Sequence, residues 1–132
     1  MKEMTQPWSR IAEHYARLVS KGAAWAASML NLVRQIEQSR YATGLFGWTS
    51  MDGLYIVQTP VEYPYYGPRL QIALKPRGLV EFRYIDSYFE ERQWSRTVNA
   101  DEAFARLEGF LDALHWFVKY EPAAKTEREE TR

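Results

Sequence analysis

Few residues in this chain have the types and spacing that chemistry needs. Asp86, Glu90 and Glu91 gather near Tyr84 and Tyr88, and carboxylates that share a cleft can divide acid and base work when burial shifts their pKa values. Charges beside a turn are ordinarily just solvated, and nothing in the spacing says otherwise. Only two histidines are present, His14 and His115, and a zinc site would need further donors arranged around them. Glu13-His14 lacks the second histidine, four residues on, that a metalloprotease helix carries. Gly44, Gly47 and Gly53 lie three and six residues apart, but no helix follows to give a phosphate its N-terminus. No serine stands in a nucleophile elbow. With no cysteine there is no thiolate, disulfide or cysteine-based zinc site, which suits a reducing compartment. The sequence assigns no catalytic residue, no metal ligand and no cofactor, and it leans away from an enzyme.

Aromatic content is the stronger signal. Five Trp, nine Tyr and six Phe make 15% of the chain, more than a core of this size needs, so some rings should face a partner. Residues 60–68 place Tyr63, Tyr65 and Tyr66 among three prolines and a glycine. Proline stiffens such a loop, and tyrosine offers ring area with a polar tip. The competing reading folds these rings back over the sheet as a private cap. Tyr55, Lys75, Glu81, Arg83 and Arg96 fall on strand positions expected to share the sheet face left open by helices, where cross-strand pairing is the simplest use for them. Tyr63, Tyr65, Tyr66, Arg69, Arg83 and Arg96 are therefore the candidate partner-binding residues.

These residues suggest a protein-interaction module of the inhibitor, immunity, adaptor or chaperone kind. One alternative is a small-ligand or enzyme domain with an aromatic pocket between the sheet and a long helix. Another is single-strand nucleic-acid binding by ring stacking, with Arg69, Lys75, Arg77, Arg83, Arg92 and Arg96 as a local basic groove. The 17 basic and 17 acidic residues balance, which argues against nucleic acid and anionic membranes as partners.

The elements that must position these residues follow from hydrophobic periodicity. From Trp8 to Ile36 the apolar residues recur at helical spacing, and the phase runs unbroken through Gly22. One long N-terminal helix is expected, with Gly22 on its buried side; two helices broken at Lys21-Gly22 are the competing reading, since an interior glycine costs about 1 kcal/mol. After Gly44 the period becomes two. Residues 45–50 and 54–59 flank an Asp52-Gly53 turn, and residues 69–75 and 79–86 flank Pro76-Arg77-Gly78, which predicts two hairpins. A last edge strand is expected within residues 88–98. Asn99 and Glu102 are spaced as a reciprocal helix cap before the stripe that runs from Phe104 to Val118.

The expected fold is a single α+β domain over residues 1–120: a long N-terminal helix, an antiparallel meander sheet of four or five strands and a C-terminal helix, both helices on one sheet face. Residues 121–132, polar and charged, are expected to form a flexible tail. A helical stripe longer than a small sheet can cover raises self-association as a homodimer through the N-terminal helix. The first ten residues lack a secretory apolar stretch and no run is long enough to span a bilayer, so the expected location is the cytoplasm, with no membrane association.

Overall fold

The structure is a computed structural model, and it describes residues 2–116. Three helices, α1 (Trp8–Ser20), α2 (Ala26–Glu37) and α3 (Ala103–Leu114), cover one face of a five-stranded antiparallel sheet. Its strands are β1 (Phe46–Ser50), β2 (Gly53–Val57), β3 (Arg69–Lys75), β4 (Leu79–Ile85) and β5 (Trp94–Asn99), and they pair in chain order. The α+β meander expected from the sequence is present, with five strands. The expected tail at residues 121–132 lies outside the described residues. Among the described residues no helix is long and apolar enough to cross a membrane.

The single long N-terminal helix is corrected to two. Gly22 is exposed rather than buried, and it adopts φ +96° with no heavy atom within 4 Å of where a Cβ would sit. The amide of Gly22 donates to the Val19 carbonyl at 3.0 Å, and that of Ala23 to the Leu18 carbonyl at 2.9 Å. This is the paired bonding of a Schellman stop, in which glycine supplies the left-handed residue that other side chains resist. The chain turns, and α2 packs back along α1. The stripe stays in phase because both helices face the same core: Ile11, Tyr15, Met29, Leu32, Val33 and Ile36 are all buried in it. Most of that stripe is covered within the fold, with Trp25 left exposed.

Inward strand residues complete the core. Leu54, Ile56, Leu70, Ile72, Val80, Phe82 and Tyr84 alternate along their strands and lie beneath the helices with Leu107 and Leu111 of α3. The first hairpin turns one residue earlier than Asp52-Gly53 implies. Ser50 pairs with Gly53, and Met51 and Asp52 form the two-residue turn with φ 51° and 67°, the sign that a type I′ turn requires. A slip by one residue would turn Leu54 and Ile56 outward. α1 also fixes this register, since Tyr15 donates its hydroxyl to the Asp52 carbonyl at 2.9 Å and His14 Nε2 lies 3.2 Å from Asp52 Oδ1. The reciprocal cap at Asn99 and Glu102 does not form. A 3₁₀ turn (Ala100–Glu102) precedes α3, so Glu102 sits at the cap position itself and Asn99 makes no side-chain cap bond.

Trp8 is buried against β1 at Gly47 and donates its indole N–H to the Leu45 carbonyl at 3.0 Å. Gly47 makes that approach feasible: a Cβ there would stand 2.8 Å from the Tyr55 carbonyl oxygen and 3.0 Å from the Trp8 ring. Gly47→Ala should therefore lower stability by about 1–3 kcal/mol, because backbone on one side and a packed ring on the other cannot both yield. Gly109→Ala, in α3 with open space around it, should raise stability by about 1 kcal/mol through helix propensity. Urea unfolding midpoints of the two variants should move in opposite directions.

Candidate functional site

A meander sends alternate connections to opposite ends of the sheet. The β2–β3 connection, residues 58–68, therefore shares an end with the β4–β5 connection, residues 86–93. The two are tied together. Ser87 donates its amide to the Tyr66 carbonyl at 3.2 Å, and Arg69 donates one guanidinium N–H to the Gly67 carbonyl at 2.8 Å and another to Ser87 Oγ at 3.5 Å. Asp86, 2% exposed, shapes the second loop: its Oδ1 accepts the Tyr88 amide at 3.0 Å, and its own amide donates to Gln93 Oε1 at 3.0 Å. Glu90 and Glu91 are exposed in the 3₁₀ turn that follows. Of the three carboxylates, Asp86 shapes the loop, while Glu90 and Glu91 face solvent.

These ties leave four large rings facing outward at this end: Tyr63 at 69% exposure, Tyr66 at 55%, Tyr88 at 69% and Phe89 at 45%. Arg92 lies over the Phe89 ring with its Cζ 4.5 Å from the centroid. Tyr63 is anchored through its amide, which donates to the Lys2 carbonyl at 3.1 Å, while Met4 donates to the Val61 carbonyl at 2.9 Å. The N-terminal segment is thereby laced to the loop.

Tyr65 takes the opposite course. Its ring meets Trp48 edge-on at 6.4 Å, its hydroxyl donates to the Pro68 carbonyl at 3.0 Å, and a Cβ on Gly67 would stand 2.6 Å from that hydroxyl. With Trp48, Val57, Val61 and Met4 it forms a second small core on the face that the helices leave open. The private-cap reading thus describes Tyr65, and the outward reading describes Tyr63 and Tyr66. Across the same face Trp48, Tyr55, Gln71, Arg83 and Ser95 stand in register. Trp48 stacks on Tyr55 at 5.1 Å, Gln71 donates to the Tyr55 hydroxyl at 3.0 Å, and Arg83 lies 3.5 Å from Gln71 Oε1.

The candidate residues therefore separate. Tyr63, Tyr66 and Arg69 belong to the aromatic end, and Arg83 lies on the open face. Arg96 does not: it pairs with Phe82 in register, so it projects on the helix-bearing side at the edge strand, with its Cζ 5.4 Å from the Trp94 ring centroid. The proposed basic groove is dispersed as well, since Lys75 and Arg77 belong to the opposite end. Tyr88 and Phe89 were not among the sequence candidates, being read as the start of the last strand; the signal for a loop was the lack of alternation between Asp86-Ser87 and Trp94. His14 pairs with Asp52, and His115, at φ 61°, ends α3. No group of three His, Cys, Asp or Glu among the described residues could hold a metal ion. Between the helices and the sheet, Tyr15, Met29, Leu32, Ile72 and Phe82 are buried in one hydrophobic cluster. No family model matches the chain, and comparison with curated proteins and with solved structures also finds no match.

Burial raises the phenol pKa of Tyr15, Tyr41, Tyr65 and Tyr84 above the ordinary value, with nearby Asp52 adding to the effect at Tyr15 and Asp86 at Tyr84. A raised folded-state pKa means that the folded form prefers the neutral phenol. This contribution to stability is complete below about pH 10, where unfolded tyrosine titrates, and declines as pH rises through the folded values. Alkaline titration followed by tyrosinate absorbance should show these phenols ionising together with loss of the fold. A urea midpoint that stays level well beyond pH 10 would contradict this.

Proposed function

We propose that this protein is a non-enzymatic interaction module, of the inhibitor, immunity, adaptor or chaperone kind, which binds a protein partner through its aromatic end and the adjoining open sheet face. One observation carries the reading: four large rings are held outward by loops whose backbone is already bonded in place. Rings at a boundary normally fold inward when they can, because burying each one removes roughly 150–250 Å² from water. Here the loops are ordered by Asp86, Arg69 and the N-terminal segment rather than by the rings. The rings therefore stay available, and little conformational entropy is lost when a partner covers them.

Arg69 and Arg92 at the aromatic end and Arg83 on the open face offer charge-assisted bonds to carboxylates of the partner. A tyrosine-rich centre with an arginine rim is the composition that protein interfaces favour. The proposal places the module in the cytoplasm, since a cysteine-free chain needs no oxidising compartment.

Affinity capture with the intact chain should recover one protein in stoichiometric amount. Combined replacement of Tyr63, Tyr66 and Tyr88 by Ala should weaken that complex by at least roughly thirtyfold, as loss of about 2 kcal/mol at a binding centre does. The melting temperature should barely change, because exposed substitutions of this kind cost within about 0.5 kcal/mol each. Undiminished binding by a folded triple variant would remove the aromatic end from the proposal.

A further inference from the structure

At the other end of the sheet, where the β1–β2 and β3–β4 turns meet the start of α2, lies a groove of about 660 Å³. Its walls are mixed. Trp25, Met51, Tyr55, Leu74 and Pro76 contribute ring and aliphatic surface, and Lys75 and Arg77 contribute positive charge. Trp25 and Met51 are also the two large apolar residues left exposed away from the aromatic end, and Met51 is 98% exposed.

Asp52 also lines the groove and sets a negative charge beside these cations. The Asp52 carboxylate is engaged by His14 at 3.2 Å, and the Lys75 ammonium lies 3.5 Å from Glu81. Arg77 makes no hydrogen bond or ion pair among the described residues. The first turn of α2, whose Ser28 helps line the groove, carries no acidic residue, so the positive end of its dipole is uncompensated there. The Arg77 guanidinium and the start of α2 are the features that favour an anion, and the surrounding surface favours an apolar body attached to it.

Backbone geometry points the same way. Met51 and Arg77 both hold left-handed conformations, with φ 51° and 67°, at turn positions where glycine or asparagine would be less strained. Long side chains are thus held at both turns, where the backbone would accept glycine. Both residues line this groove.

We infer that the groove binds a small free organic acid, with its carboxylate at Arg77 and Lys75 and its apolar body against Trp25, Met51 and Leu74. Its volume lies within the range of small-molecule sites, as an open groove. The groove borders the open sheet face at Tyr55 and Gln71 but lies at the opposite end of the strands from the aromatic rings, so the probe titration below reads it without the partner.

Octanoate, octanol and octylammonium, which share one chain and differ in head-group charge, serve as probes in calorimetric titration of the full chain, with amide chemical shifts to locate binding. Octanoate should bind in preference to both others, with shifts confined to the two turns and the start of α2. Arg77→Gly removes the cation while relieving the left-handed strain. It should raise the melting temperature and weaken octanoate roughly tenfold, as loss of a charge-assisted bond does, whereas Arg77→Lys should retain most of the binding. No measurable octanoate binding, equal binding of octanol, or unchanged affinity in the stable Arg77→Gly variant would each overturn the inference.

Discussion

Antiparallel pairing of the strands in chain order is the constraint on which the remaining architecture depends. It sends the tight turns to one end of the sheet and the longer connections to the other, so residues far apart in sequence share an end. Tyr66 meets Ser87, and Met51 shares a groove with Arg77, for this reason alone. Strand alternation then decides the faces. Leu70, Ile72, Val80 and Phe82 point toward the helices, while Gln71 and Arg83 point away.

The helices are held mainly by burial, and polar contacts select where they settle. Sealing the Trp8 ring removes on the order of 150–250 Å² from water, about 4–6 kcal/mol at 25 cal/mol per Å². Its indole bond to Leu45 contributes about 1 kcal/mol. Area therefore drives the association of α1 with β1. The bond, the missing Cβ at Gly47 and the Tyr15 hydroxyl on Asp52 determine its position along the strand. The same division holds on the open face, where Tyr65 covers Trp48 and its hydroxyl fixes the loop at Pro68.

Much of this was legible from periodicity, and the failures have physical causes. β3 and β4 were readable because one face of each is buried and the other is not, which leaves strict alternation. The break at Gly22 was obscured because α1 and α2 cover the same sheet, so their stripes remain in phase across it. The local evidence was a glycine flanked by Leu18 and Ala23, the apolar pair that accompanies a Schellman stop. Arg96 has the parity of Trp94 and Val98 and so belongs to the helix-bearing side; its charge suggested the open face, but at an edge strand it stays exposed on either side. Tyr63 and Tyr66 were legible from the proline-rich loop. Tyr65 was not distinguishable from them, because its inward turn depends on Gly67 and on a distant Trp48. The groove was invisible in sequence, since three separate segments build it.

The surface thus carries rings with an arginine border at one end and a charged apolar groove at the other, separated by the length of a strand. Oxidative footprinting of the chain alone and on its captured partner tests that division most directly. Tyr63, Tyr66, Tyr88 and Phe89 should react in the free protein and become protected together in the complex, while Trp25 and Met51 go on reacting. Protection of Trp25 and Met51, with the four rings unchanged, would contradict the assignment of the partner surface.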